Sequence, residues 1–305
     1  MEELISSSHH FPFVKRQTNI LMKPKFTPTK LSRSLLCVAG MALTALTSAD
    51  AALLVYYNFD SLPSGAVGAD IPVANLGSVG GNGTVTRGTL TGLANVVASG
   101  AGAGSGKALQ FTPVADGNQN LEAPHIKTFN TLASLGITAS SAYTVMAWAN
   151  FASAAGDNMI FGQDGGVATG GASLHHGTRN GILQHGHWGD DVGPDQGLTV
   201  VPGAGWHHIT YTNDGAGGNQ AMWLDGVLVP GPLAAGTAGA FDTTRELLIG
   251  TSNNGGSFSG QLDEVKVFNT LLSGAEIQAG MAIPESGSMA LMALAGSFLL
   301  RRRRR

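Results

Sequence analysis

Histidines and aromatic-acid clusters near the middle of the chain are the residues whose types and spacing suggest chemistry. Asn180-Gly181 lies between two strand-like runs, Leu174 to Arg179 and Ile182 to Trp188, and favours the positive φ angles of a two-residue type I′ turn. Such a turn sets Thr178 opposite Leu183, His176 opposite His185 and Leu174 opposite His187. His176, His185 and His187 then share one face, with opposed Cβ atoms about 5 Å apart and same-strand neighbours about 6 to 7 Å apart. That spacing suits three imidazoles converging on Zn²⁺ or a similar ion. Leu174 and Leu183 on the same face suit ordinary packing instead, and Gly177 and Gly186 invite a bulge that would shift the register.

The run continues as His187-Trp188-Gly189-Asp190-Asp191. Trp188 offers a flat apolar ring and Asp190 and Asp191 offer acceptors, which together suit a sugar: a ring face to stack on and partners for its hydroxyls. Packing of Trp188 inside the fold and turn capping by Asp190 are the plainer reading of the same residues. His207 and His208 read as strand residues, one of them turned inward beside Trp206 or Tyr211. A nucleophile elbow of the Gly-x-Ser-x-Gly type is missing from the sequence, and the glycine-rich stretch Ser99 to Gly106 does not lead from a strand into a helix as a phosphate loop would. Asp263 and Glu264 are adjacent, so on a regular strand they face opposite sides rather than converging on a glycosidic bond. An enzyme is therefore not expected.

Short strands must position these residues. Runs that read as strands are Leu53 to Phe59, Lys107 to Thr112, Tyr143 to Phe151, the two flanking Asn180-Gly181, Trp206 to Thr212, Gln220 to Leu224, Val227 to Val229, Glu246 to Ile249 and Gln261 to Phe268. Asp225-Gly226 marks a second tight hairpin. The one helix signal is the capping box Ser273-Gly274-Ala275-Glu276. Many short strands without intervening helices predict an all-β fold, a two-sheet antiparallel jelly-roll sandwich.

Composition agrees. Forty-four glycines in 305 residues make the chain turn-rich, and charged residues reach only 12% against a usual level of roughly 25%. Between Asp60 and Glu276 six basic residues face sixteen acids, a balance of about −10 that repels nucleic acid and anionic lipid. No nucleic-acid partner is expected. Residues 52–281 read as one domain, large enough to bury roughly 70% of its unfolded surface.

The ends read as addresses. Lys23, Lys25, Lys30 and Arg33 precede the apolar stretch Leu35 to Leu46, and Ala49-Asp50-Ala51 supplies the small residues of a cleavage site before Ala52. Residues 22–51 are thus expected to be a secretory signal peptide for signal peptidase, with Met22 as an alternative start and residues 1–21 as a non-native or disordered extension. Cys37, the single cysteine, lies inside that signal, so the exported protein has no thiol for disulfides or metal. At the other end, within residues 282–305, Pro284-Glu285-Ser286 leads into the apolar run Ser288 to Leu300 and five arginines. At 1.5 Å per residue this run is short of a hydrocarbon core of about 30 Å, and the arginines would hold its end in the cytoplasm. The pattern resembles a PEP-CTERM sorting signal, with Pro-Glu-Ser in place of Pro-Glu-Pro. The resemblance implies transient inner-membrane anchoring, processing by an exosortase and final location at the cell surface or extracellular matrix of a Gram-negative bacterium.

Trp206-His207-His208-Ile209, Met222-Trp223-Leu224-Asp225-Gly226, Gln261-Leu262-Asp263-Glu264-Val265, Leu272-Ser273 and Glu276-Ile277 together resemble the last third of a laminin-G-like, concanavalin-A-like domain. Lys107 to Phe111 and Tyr143 to Trp148 are similar to its earlier strands. The resemblance implies a jelly roll whose relatives bind glycans, proteins or calcium and mostly lack catalysis. It also implies that the first and last strands are neighbours, which would bring Asp60 and Asp263 close enough to share Ca²⁺ through hard oxygen ligands. The function expected is that of an exported, non-catalytic binding or matrix protein of the envelope whose partner is a glycan or exopolysaccharide. A structural surface protein without a small ligand, and a polysaccharide hydrolase or lyase on the same fold, are the alternatives.

Overall fold

The computed structural model describes residues 51–87, 93–102, 106–112, 123–138, 140–165, 173–187, 205–215, 219–230, 242–252 and 256–282. Among these, strands follow one another as β1 (Leu53–Tyr57), β2 (Gly65–Ala66), β3 (Ile71–Val73), β4 (Gly83–Thr86), β5 (Leu93–Ala98), β6 (Lys107–Thr112), β7 (His125–Thr131) and β8 (Tyr143–Phe151). The second half adds β9 (Asp157–Gln163), β10 (Leu174–Arg179), β11 (Ile182–His187), β12 (His207–Asn213), β13 (Gln220–Leu224), β14 (Val227–Leu228), β15 (Glu246–Ile249) and β16 (Gly260–Phe268). A single described helix, α1 (Gly274–Gly280), closes the domain and carries the expected capping box of Ser273 and Glu276.

Two antiparallel sheets result. The nine-stranded sheet runs β14-β13-β12-β8-β16-β6-β5-β2, with β1 also pairing β16; the seven-stranded sheet runs β11-β10-β9-β15-β7-β4-β3. Alternation explains the layering: Val145 and Ala147 on β8, Ile209 and Tyr211 on β12, and Phe161 on β9 point into one shared core, while the intervening residues face away. The other face of the nine-stranded sheet is partly covered by α1, where Met146, Phe268, Leu272 and Ile277 form a second apolar cluster with Trp223.

All ten expected strands are present, with ends shifted by at most two residues. β2, β3, β4, β5, β7 and β9 were not anticipated. Asn180-Gly181 and Asp225-Gly226 adopt the positive φ pairs of type I′ turns, at 50° and 77° and at 51° and 74°. The hairpin register is the expected one, with His176 paired to His185 and Leu174 to His187. The expected bulge does not fall there. It lies on the other side of β10, between His176 and Gly177 against β9, where Gly177 has backbone so close that a Cβ would meet Asn158 O at 2.1 Å.

Candidate functional site

His176 and His185 lie between the sheets and are fully buried, with ring centroids 4.0 Å apart. The Gly186 N–H donates to His176 Nδ1 at 3.3 Å, which leaves the proton on Nε2, and Nε2 lies 3.1 Å from the Tyr143 hydroxyl. Tyr211 stacks on His176 at 5.1 Å and donates its hydroxyl to Gly177 O at 2.6 Å. Since Tyr143 and Tyr211 come from β8 and β12, this aromatic cluster ties the two sheets together. Both nitrogens of His176 are engaged by the protein, so its role is in packing. The His187 side chain lies outside the described residues, as do Trp188, Asp190 and Asp191. Among the described residues no three His, Asp or Glu groups are placed to hold a metal ion.

β1 does pair with β16, and the two expected acids approach one hairpin, β5–β6, from that side. Asp60 Oδ1 accepts from Lys107 N at 2.9 Å and Oδ2 from Asn58 Nδ2 at 3.2 Å. Asp263 is buried; its Oδ2 accepts from Ser99 Oγ at 2.7 Å and its Oδ1 from Glu264 N at 2.8 Å. Ser99 N in turn donates to Gly106 O at 3.2 Å. Each carboxylate oxygen already accepts one hydrogen bond, and together the pair fastens the base of the hairpin.

Asp263 and Glu264 do not face opposite sides. The register of β16 against β8 shifts between Asp263 and Lys266, and Glu264 takes φ +52°. With Leu262 and Val265 both in the core, the irregularity turns both acids away from it. Glu264 accepts from the Tyr56 hydroxyl at 2.8 and 3.0 Å and pairs with Lys266 Nζ at 3.0 Å. Lys266 also donates to Gly280 O at 2.9 Å and sits 5.0 Å over the Tyr56 ring. Burial, then the Glu264 charge, push the Tyr56 hydroxyl far above its ordinary pKa. Nearby, His208 is buried against Trp148, with ring centroids 5.4 Å apart, on the opposite face of β12 from Tyr211. Burial first, then the Lys266 charge, lower its pKa to about 3. His207, by contrast, is partly exposed and bonds Asp225 through Nδ1 at 2.9 Å.

The outer face of the seven-stranded sheet has a different character. The pairs His175–Gly162, Gly162–Leu248, Leu248–Lys127 and Lys127–Thr84 cross it as one row. One step along, Asp164 N donates to Glu246 O at 2.8 Å, and Phe129 N donates to Glu246 Oε1 at 2.6 Å. Phe129 is held at φ +57° and is 62% exposed, an unusual backbone for an aromatic residue that costs roughly 1–2 kcal/mol. Burial first, and then the Asp164 charge, raise the Glu246 pKa, while the Phe129 N–H and Lys127 oppose the rise. Alternation places Ser173 on this face, because Leu174 points into the core. Ser252 lies over Gly162, where a Cβ would meet the Ser252 Cβ at 2.3 Å. His125 Nδ1 bonds Ala123 O at 2.7 Å, so that nitrogen carries the proton and Nε2 is left an acceptor. His125 Nε2, Ser173 Oγ, Gln184 Oε1 and Ser252 Oγ are buried with no hydrogen-bond partner among the described residues. An exposed ring beside a half-buried carboxylate is an arrangement suited to a hydroxyl-rich ligand.

None of Phe129, Glu246, Asp164 and His125 was singled out from sequence. The alternation of His-Ile-Lys-Thr-Phe-Asn-Thr in β7 was the available signal.

Two stacked antiparallel sheets in this order define a jelly-roll sandwich, the architecture shared by lectin-like binding domains and some glycan hydrolases. A family model, Concanavalin A-like lectin/glucanases superfamily, matches residues 116–278, and the chain belongs to that family. Among solved structures it is similar in fold to domain 4 of AbnA, a GH43 extracellular arabinanase from Geobacillus stearothermophilus, solved in complex with arabinotriose. The match has a TM-score of 0.51 and 15% identity and covers 76% of this chain and 99% of that one. A structure of botulinum neurotoxin type C, described as interacting with two ganglioside molecules, matches with a TM-score of 0.47 and 11% identity over 75% of this chain and 50% of that one. No curated protein matches the sequence.

Proposed function

We propose that this is an exported, non-catalytic binding or matrix protein of the bacterial envelope that holds a glycan or exopolysaccharide on the outer face of its seven-stranded sheet. The observation that carries this reading is Phe129, an exposed ring at a costly backbone angle whose N–H donates to the Glu246 carboxylate. Strain that persists at an exposed residue is best accounted for by what the residue does. The arabinotriose bound to the similar arabinanase domain supports the ligand class. A non-catalytic role is supported by Asp263 and Glu264, whose carboxylates are tied to Ser99, Tyr56 and Lys266.

Export follows from the signal peptide in residues 22–51, and sorting through the membrane from the PEP-CTERM-type tail in 282–305, with signal peptidase and an exosortase as processing partners. No helix among the described residues is long and apolar enough to cross a membrane. Calcium belongs to the proposal as a support at Asp60 and Asp263, with backbone carbonyls completing its oxygen ligands. A lower melting temperature after chelation is the expected result, and an unchanged one removes the ion.

Gel retardation in the presence of exopolysaccharide tests the binding. The protein is expected to be retarded, and Phe129→Ala to weaken the effect about tenfold, the loss of one stacking contact. Absence of retardation would favour a purely structural surface protein, and release of reducing sugar would make the protein an enzyme.

A further inference from the structure

We propose that α1 is an acid-released strap: its last turn closes over His208, and protonation of that imidazole frees the helix from the nine-stranded sheet while the sandwich stays folded. The strap is fastened near its C-terminal end. Lys266 Nζ donates to Gly280 O at 2.9 Å, Trp148 Nε1 to Met281 O at 3.1 Å and Gln278 Nε2 to Gly226 O at 3.3 Å. Met281 also lies over the β13–β14 turn, where a Cβ on Gly226 would meet its sulfur at 2.6 Å.

The same three places enclose His208. Its ring packs edge-on against Trp148, its backbone N–H donates to Asp225 Oδ1 at 2.8 Å beside Gly226, and Lys266 is near enough for its charge to resist protonation. Its Nδ1 lies 3.4 Å from the Thr210 hydroxyl. Every acid around it is already engaged. Asp225 Oδ2 accepts from His207 Nδ1 at 2.9 Å, Glu264 holds Tyr56 and Lys266, and Asp263 accepts from Ser99 and Glu264 N. Glu276, the acid of α1, is bonded to Ser273 at the other end of the helix. An imidazolium at 1% exposure gains most here by reaching water.

The helix is the element that yields. Of its seven residues only Ile277 is buried, whereas β8, β12 and β16 carry the sandwich core on their other face through Val145, Ile209 and Val265. A terminal element with one buried side chain opens far more readily than paired central strands. Release hydrates His208 and uncovers Met146, Phe268 and Trp223, the apolar cluster beneath α1.

Hydrogen exchange of the full protein at pH 7 and pH 4.5, read by peptide mass with labelling times scaled to the intrinsic rates, tests the strap. With a His208 pKa of about 3 when covered and the ordinary 6.5 when hydrated, opening gains about tenfold for each pH unit below 6.5, up to about a hundredfold at pH 4.5. Protection of residues 274–281 is expected to fall by that order while β8, β12 and β16 keep theirs, and His208→Gln is expected to abolish the fall. Ile277→Ala loosens the helix at neutral pH and leaves His208 in place, so the His208 titration followed by NMR is expected to move up toward 6.5 in that variant. Unchanged protection at 274–281, an equal loss in the three strands, a fall that persists in His208→Gln, or a His208 titration unmoved by Ile277→Ala would each overturn the strap.

Discussion

His208 illustrates how one buried side chain can set a response to acid. It is packed on Trp148, with Lys266 depressing its pKa and Asp225 opposing that effect, and the lowered value of about 3 lies well below the ordinary 6.5. Between those values the unfolded chain binds a proton that the folded protein refuses, so stability is fully present above about pH 6.5 and falls as the pH is lowered toward 3. The slope is up to about 1.4 kcal/mol per pH unit. Burial lowers the His125 pKa as well, which adds to the same trend. Thermal melts at pH 7 and pH 4.5 should show a clear drop in melting temperature for the parent and a smaller one for His208→Gln; equal drops would remove His208 as the cause. Phe129 makes a complementary case. Phe129→Gly relieves its positive φ and removes an exposed ring, so its melting temperature should be unchanged or higher while polysaccharide retention is lost.

At the scale of elements, the hairpin β10–β11 and the bulge beside it hold the aromatic tie between sheets in place. Gly177→Ala would put a methyl carbon 2.1 Å from Asn158 O and 2.7 Å from Met159 Cα, and neither backbone atom can yield without parting β9 from β10. A loss of about 1–3 kcal/mol is expected, measured as a shift of the urea midpoint. The register of this hairpin was legible because two turn residues with known φ preferences set every facing pair. β7 was harder, since no Asn-Gly or Asp-Gly pair marks its ends and its partners β4 and β15 are distant in sequence; β9 does end on Asp164-Gly165, but on one side it pairs with the distant β15. The same distance concealed the Phe129 site: Glu246 stands 117 positions away, and nothing in a phenylalanine announces a left-handed backbone. The irregularity at Glu264 was likewise invisible, because alternation read along Leu262 to Lys266 assumes a strand without an extra residue.

At the scale of the molecule, stability owes nothing to a disulfide within the chain. The single cysteine, Cys37, lies outside residues 52–281, so reducing agent should leave the melting temperature of the domain unchanged; a shift would point to a cross-link involving another molecule. The two sheets also turn their backs to each other. α1 and Met281 lie against Trp148 on the rear of the nine-stranded sheet, where Trp148 Nε1 donates to Met281 O at 3.1 Å. Phe129 looks out from the front of the other layer. A ligand held at Phe129 would therefore leave α1 and the Trp148 contact on the opposite surface untouched, so the two surfaces can be occupied without crowding one another.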